Sequence, residues 1–323
     1  MAYNELRDAV VEVATESTFG TAETTGFSTI EINGSDSAGV ISPDIAMVDA
    51  TVLRPDFDVI PGTVGRAKSM VSIPSYLTVA AANATPVPTP RNDILLQACG
   101  LTATAAGTEG MSYAPSTTGD PQGMTVRSYN DGILTESAGV TGGFSIDMSA
   151  GQYPTMTFTG EGDYTDPTTV AVVTPSYPDE VLHQVASASM TISGIGSLVI
   201  RSLSFNWDVT QTERLDLNSA NGYAGTGVTG KVATISTIVE YQDGIGTWNP
   251  EALMAAGATH AITLTIGDFV AVTSGSAISL TASAAQMTSC SRSADSGALV
   301  ASLDFKCTGA SPFALLFQTA DLV

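Results

Sequence analysis

The stretch RPDFDVIPGTVGRAKSMVSI, Arg54 to Ile73, decides how the chain is read. It opens at the end of one apolar run. It then crosses an irregular segment punctuated by Pro55, Pro61 and Gly62, meets the pair Gly65–Arg66, and enters a second run with strand-like alternation. The same phrase returns as ERLDLNSANGYAGTGVTGKVATISTI, Glu213 to Ile238, with Gly230–Lys231 in place of the first glycine–basic pair. Neither copy carries a plausible catalytic set. A long connection between two strands costs closure entropy in a compact monomer, so both copies point to a use outside the monomer.

The chain has 323 residues, room for one large all-β domain or two ordinary ones. Apolar residues make up 43 %, enough for a packed core, whereas charged residues make up only 13 %. The polar surface therefore comes from Ser, Thr, Asn and Gly, a composition that favours strands and turns. With 32 acids against 11 bases, the net charge of −21 opposes nucleic-acid binding, which needs basic side chains to displace phosphate counterions. It remains compatible with nucleic acid passing by without sticking. Cys99, Cys290 and Cys307 form neither a disulfide framework nor a zinc pattern, and read as small buried hydrophobes of a protein made in a reducing cytoplasm. The N-terminal residues lack the basic start and apolar run of a signal peptide. No segment reaches the roughly 20 apolar residues of a membrane helix.

Along the chain, residues 1–40 read as an N-terminal arm with one short strand, FSTIEI. MVDATVL (Met47–Leu53) reads as a strand, and RNDILLQACG as a short helix with Asn92 at its cap and Gly100 at its end. Asp131–Gly132 signals a hairpin. A second hairpin places Phe144, Ile146 and Met148 opposite Met156 and Phe158 by alternation. Thr165–Glu180, with three prolines, reads as a linker. Beyond it the order returns: SLSFNWDV with Leu203, Phe205, Trp207 and Val209 on one face, the long segment, a strand, the helix NPEALMAAG, and a closing hairpin. That hairpin is expected to bury Leu299, Ala301, Leu303, Phe305 and Cys307. The reading is mainly β, as two tandem β-sandwich or half-barrel domains, each flanked by one short helix. The arm is 1–40, the first domain 41–166, the Pro-rich linker 167–182 and the second domain 183–323.

Sites for chemistry are few. His183 and His260 have no ligand partners at metal spacing. No nucleophile elbow, zinc helix or phosphate loop is present, and GTGVTG (Gly225–Gly230) leads into a strand rather than a helix. Asp56 with Asp58, and Asp163 with Asp166, are acid pairs without the spacing of a calcium loop, and read as solvated loop acids. No cofactor is expected and no enzyme activity is assigned.

Several stretches then resemble one family. ATESTFGTAETT (Ala14–Thr25), VLRPDFDVIPGTVGRAKSMVSIPSYLTVAA followed by a Pro-rich gap and ILLQACGLT, and TGGFSIDMSAGQYPTMTFTGEGDY (Thr141–Tyr164) are similar, in this order, to the tail tube proteins of long-tailed, non-contractile bacteriophages. The resemblance implies a structural virion protein, made in the host cytoplasm. Its β-sandwich subunits join their sheets into rings that stack into a tube for DNA ejection. It implies as partners the chain itself, a tape measure protein and viral DNA in the lumen, and tail terminator and baseplate proteins at the tube ends, with no membrane. A doubled chain implies a trimeric ring with pseudo-sixfold symmetry; the alternative is a hexameric ring in which the second half decorates. On this reading the inter-ring contacts fall at Pro55, Asp56, Phe57, Asp58, Val59 and Ile60 and at Asn218, Asn221 and Tyr223. The arm contributes Glu16, Phe19 and Gly20, and the lumen-facing acids are Asp147 and Asp304. Rival readings are another ring-forming virion protein of the same fold, such as a tail terminator or baseplate hub, and a secreted surface-layer β protein.

Overall fold

The computed structural model describes residues 9–33, 39–49, 61–80, 89–106, 110–116, 121–177, 180–185, 188–194, 199–219, 222–240, 249–267, 277–295 and 297–318. The fold is mainly β with two short helices, and its main hydrogen-bonded network is antiparallel throughout. The strands are β1 Ala9–Thr15, β2 Ser28–Ile30, β3 Ile41–Val48, β4 Thr63–Tyr76, β5 Thr78–Ala80, β6 Leu101–Ala106, β7 Gly110–Pro115, β8 Met124–Asn130, β9 Ile133–Ser149 and β10 Thr155–Tyr164. The chain continues with β11 Thr168–Thr169, β12 Glu180–Leu182, β13 Ser189–Ile192, β14 Ile200–Leu215, β15 Tyr223–Glu240, β16 Thr259–Gly267, β17 Ala277–Asp295, β18 Ala298–Cys307 and β19 Ala314–Gln318. The helices are α1 Asp93–Ala98 and α2 Pro250–Ala256.

Eight strands lie side by side in the order β3-β4-β10-β9-β14-β15-β18-β17. This is one four-strand pattern written twice: a hairpin, then a second hairpin whose return strand packs beside the first. The two copies meet where β9 pairs with β14, Phe144 opposite Trp207 and Ile146 opposite Phe205. Period-2 alternation gives this sheet one apolar face, carrying Ile73, Phe144, Phe158, Phe205, Ile235 and Phe305, all buried. The opposite face is polar.

The apolar face is covered by a second layer. It is built from two groups, β2-β1-β8 with the start of β9, and β13-β16-β17-β19-β7-β6, the last two strands being supplied by the first half of the chain. The long strands β9 and β17 therefore belong to both layers, and each turns between them at small residues. In β9 the turn uses Gly139, with φ +65°, and the pair Gly142–Gly143. A side chain on Gly142 would collide with the Thr159 carbonyl, and one on Gly143 with that of Trp207. In β17 the turn uses Ala282 and Ala285, with a register shift between Met287 and Ser289. An aromatic cluster seals the junction between the halves. Phe313 lies 4.7 Å from Phe205 and 5.0 Å from Trp207, and Phe144 lies 5.7 Å from Phe205 (ring centroids). Trp207 also donates Nε1–H to the Cys99 carbonyl just past α1, at 2.9 Å.

Several local expectations meet corrections. The first strand of the opening phrase is Ile41–Val48, earlier than Met47–Leu53, of which residues 50–53 lie outside the described residues. Asn92 precedes α1 but makes no side-chain cap. It is buried, accepting from Ser75 Oγ and donating to the Tyr76 carbonyl, so it ties the helix to β4. Asn249 does cap α2, accepting from Ala252 N, and Gly257 closes it at φ +64°. Asp131 and Gly132 turn β8 into β9 at φ +45° and +85°, the left-handed pair of a tight hairpin. Leu299 is exposed at the start of β18, where the sheet ends, whereas Ala301, Leu303, Phe305 and Cys307 are buried. The Pro-rich segment carries two short strands: β11 pairs with β9, β12 pairs with β5, and Glu180 accepts from Arg91 N. His260 is buried, its Nδ1 2.7 Å from the Ser193 carbonyl, a structural role.

Candidate assembly surfaces

Both copies of the opening phrase turn out to be two-stranded arms. β3 and β4 continue beyond the ends of β9 and β10, and so do β14 and β15. The long connection expected within the second phrase is strand from Tyr223 onward, so GTGVTG (Gly225–Gly230) lies inside β15. The arms expose apolar side chains: Met47, Val48 and Val64 on the first, Leu215 and Leu217 on the second. Leu215 is 72 % accessible and Leu217 fully so. Of the residues singled out at the tips, Pro55, Asp56, Phe57, Asp58, Val59, Ile60 and Asn221 lie outside the described residues. Asn218 shapes the second tip, donating N–H and Nδ2–H to Asp216 Oδ1 at 2.9 and 3.1 Å. Tyr223 stands opposite Leu215 at the tip end of the arm but is buried, so the exposed tip surface belongs to Leu215 and Leu217.

A charged cluster ties the arms together. Lys68 on β4 is buried, with Nζ 2.9 Å from both Glu161 and Glu213 and 3.6 Å from Asp44. Arg66 pairs with the same Glu213 and lies 3.5 Å from Asp44. Two cations shared among three carboxylates hold the Glu213 carboxyl below its usual range, with the Lys68 hydrogen bond the largest cause. The two glycine–basic pairs do not play matching parts. Ile73 faces Phe158 as Ile235 faces Phe305, which sets Lys231 at the position of Ser69 rather than of Arg66. Lys231 instead lies against Gly100, at the end of α1.

The arm residues Glu16, Phe19 and Gly20 form one anchored turn. Glu16 is buried, and its carboxylate accepts from Gly20 N (2.7 Å), Gly139 N (2.6 Å) and Thr125 Oγ1 (3.0 Å). Phe19 packs against Gly123, Gly139 and Gly225, which join β8, β9 and β15, so the turn bridges the two halves. Asp163, expected as a solvated loop acid, sits at the end of β10 against this turn. Burial, and then the Glu16 charge, push its carboxyl up to about 6.

The polar face of the eight-strand sheet brings Asp147 and Asp304 into one row. Reading across the strands, Tyr76, Thr155, Asp147, Ser204, Ser236, Asp304 and Ser289 stand opposite one another in turn. Asp147 is exposed, and Asp304 accepts from Ser236 Oγ at 2.7 Å.

Two sheet edges end the row. β3 has no strand partner beyond β4, and β17 from Met287 to Asp295 has none opposite β18, among the described residues. A long two-layer sheet with arms past its end, a polar face and two bare edges offers surfaces on which further strands can pair. No group of three or more metal-ligating side chains occurs among the described residues. A family model for phage tail tube proteins matches residues 7–307. The chain belongs to the phage tail tube protein family. No match emerges among curated proteins. Tail tube proteins are structural virion components, so this chain is one that self-assembles into the tube of a phage tail. Among the described residues no helix is long and apolar enough to cross a membrane.

Proposed function

We propose that three copies close into a ring, through the same strand pairing that joins the halves of one copy, and that rings stack into a conduit for DNA ejection. The observation that carries this is the repeat of the four-strand pattern, with its internal β9–β14 junction and its two bare edges. Matching β9 to β17 and β14 to β3 through their shared neighbours places Met287 at the position of Phe144 and Ile41 at that of Trp207. The edge of β17 would then pair with β3 of the next copy, Met287 opposite Ile41. Pairing also removes edges that would otherwise template aggregation.

Size favours three copies over six. Eight strands per chain give 24 in a trimer, a barrel about 50 Å across its backbone at a strand tilt near 40°. That takes a DNA duplex with water and side chains to spare. Six full chains would give about 100 Å, an opening that no longer guides a duplex. Because the second half lies in the same sheet as the first, it serves better as wall than as decoration. The first and second halves then stand as tandem tail-tube-like domains, with the polar face and its Asp147–Asp304 row turned to the lumen. The tape measure protein would occupy this lumen before DNA, and terminator and baseplate proteins would cap the ends.

The test is a cysteine pair, Ile41→Cys with Met287→Cys, in a Cys290→Ser background. Oxidised assemblies should run on a non-reducing gel as species of up to three chains and no larger. A ladder ending at six supports the hexamer. Rings seen by electron microscopy that give no crosslink refute the strand pairing.

A further inference from the structure

Strand β14 begins and ends in features that complement one another. At its start, Ile200, Arg201, Ser202 and Leu203 form one wall of a recess of about 200 Å³, whose other walls include Met148, Val185, Met190 and Leu264. Its lining is divided about evenly between apolar and polar surface, and it is larger than the roughly 150 Å³ that suffices for a benzene-sized group. At the other end of the strand stand Leu215 and, just past it, Leu217, both projecting into solvent. Twelve residues separate Leu203 from Leu215, about 40 Å at strand rise. Knob and recess thus lie at opposite poles of the same long strand.

We propose that the recess is the socket for the Leu215–Leu217 tip of a second copy in the adjacent ring, so that each chain is joined head to tail along the tube axis. This rests on the stacked-ring reading and adds the seat of the contact and its polarity. A knob and a hole on opposite poles make a heterologous contact that cannot close on itself, and repeated translation along the strand direction yields an open filament. Two leucines exposed on a narrow two-stranded arm have nothing to shield them within one chain. Seating them removes apolar surface from water at both partners. The recess exists within one chain because β9 and β14 already meet there, so it needs no ring closure to form.

The test uses two variants of the full chain. Leu217→Asp should leave rings intact by electron microscopy and sedimentation while abolishing stacks; stacks as long as those of the wild type overturn the socket. Leu217→Cys with Ala188→Cys, at the rim of the recess, should give on oxidation a ladder that exceeds the ring number and continues without limit. Stacked rings that give no such ladder also overturn the socket while leaving the tube reading intact. Wild-type protein that forms neither rings nor stacks overturns both.

Discussion

The junction between β9 and β14 and the bare edge of β17 are the same piece of architecture in two states. At the first, the edge of β9 is covered, Trp207 and Phe313 fill the space above it, and α1 lies beneath them with Leu95, Leu96 and Ala98 buried. At the second, β17 ends open and Arg292 on it reaches Glu251 of α2. That helix buries only Pro250, leaving Met254 exposed and Leu253 half-buried. Both helices rest on a strand of their own chain, but α1 buries three apolar side chains and α2 only its first proline. Under the proposed ring closure, the exposed face of α2 is what β3 of another copy would cover.

The sharpest break of this comparison is Trp207→Ala. It opens a cavity in the aromatic cluster and orphans the Cys99 carbonyl, and is expected to cost about 3–5 kcal/mol. Urea unfolding of the isolated chain measures it. A loss below about 1 kcal/mol would mean that the internal junction contributes little, and the analogy with the open edge would fail.

Next come the two helices against each other. Leu96→Ala should cost about 2–5 kcal/mol in the isolated chain, as for any fully buried leucine. Leu253→Ala should cost about 1 kcal/mol there, in proportion to its partial burial, and more once rings have formed. Thermal melts of both variants, before and after assembly, read the four values. Equal losses in the isolated chain would show α2 already complete.

How far the sequence revealed this can be traced residue by residue. Alternation identified β9, β10, β14 and β18, because one buried face and one polar face leave a period of two. Gly132 and Gly257 marked a turn and a helix end through their positive φ. The arms were legible as long segments but not as strands, since pairing beyond the core leaves no buried face to impose alternation on Leu215 or Val64. The register of β9 with β14 was hidden because their partners lie some 60 residues apart, and local pattern carries nothing about which edge meets which. The burial of Asp163 was hidden for the same reason: the N-terminal turn that packs against it lies at Gly20, 143 residues earlier in the chain.

That buried acid gives a smaller and pH-dependent test of how the halves are tied. The Asp163 carboxyl is pushed up to about 6 from 3.8 by burial and by Glu16, so the folded chain binds its proton more tightly than the unfolded one. Its ionisation therefore destabilises the fold as pH rises from about 4 to about 6, and the penalty is constant above that range. The full shift corresponds to about 3 kcal/mol, which partial exposure reduces to about 1–2 kcal/mol. Asp163→Asn should thus raise stability at pH 7 by this amount and leave it unchanged at pH 3.5, as urea titrations at the two values would show. A gain of equal size at both values would place the effect in packing rather than charge.

The smallest effect on the fold, and the one with the clearest functional reading, is expected on the polar face. Asp147 is exposed, and Asp304 holds a single neutral hydroxyl, so neither supports the core. Asp147→Lys with Asp304→Lys should shift stability by no more than about 0.5 kcal/mol, and rings should still form, because both side chains point away from the covering layer. What changes is the sign of a row that runs unbroken across seven of the eight strands. With lysines at two positions per chain, each ring would present six cations to a duplex in its lumen, and phosphate binding with counterion release would replace repulsion. Assembled tubes of the variant should therefore retain short duplex DNA at low ionic strength and release it as salt rises, whereas wild-type tubes should retain none. If the variant tubes bind no DNA, the row faces outward, and the wall of the conduit must be sought on the covering layer instead.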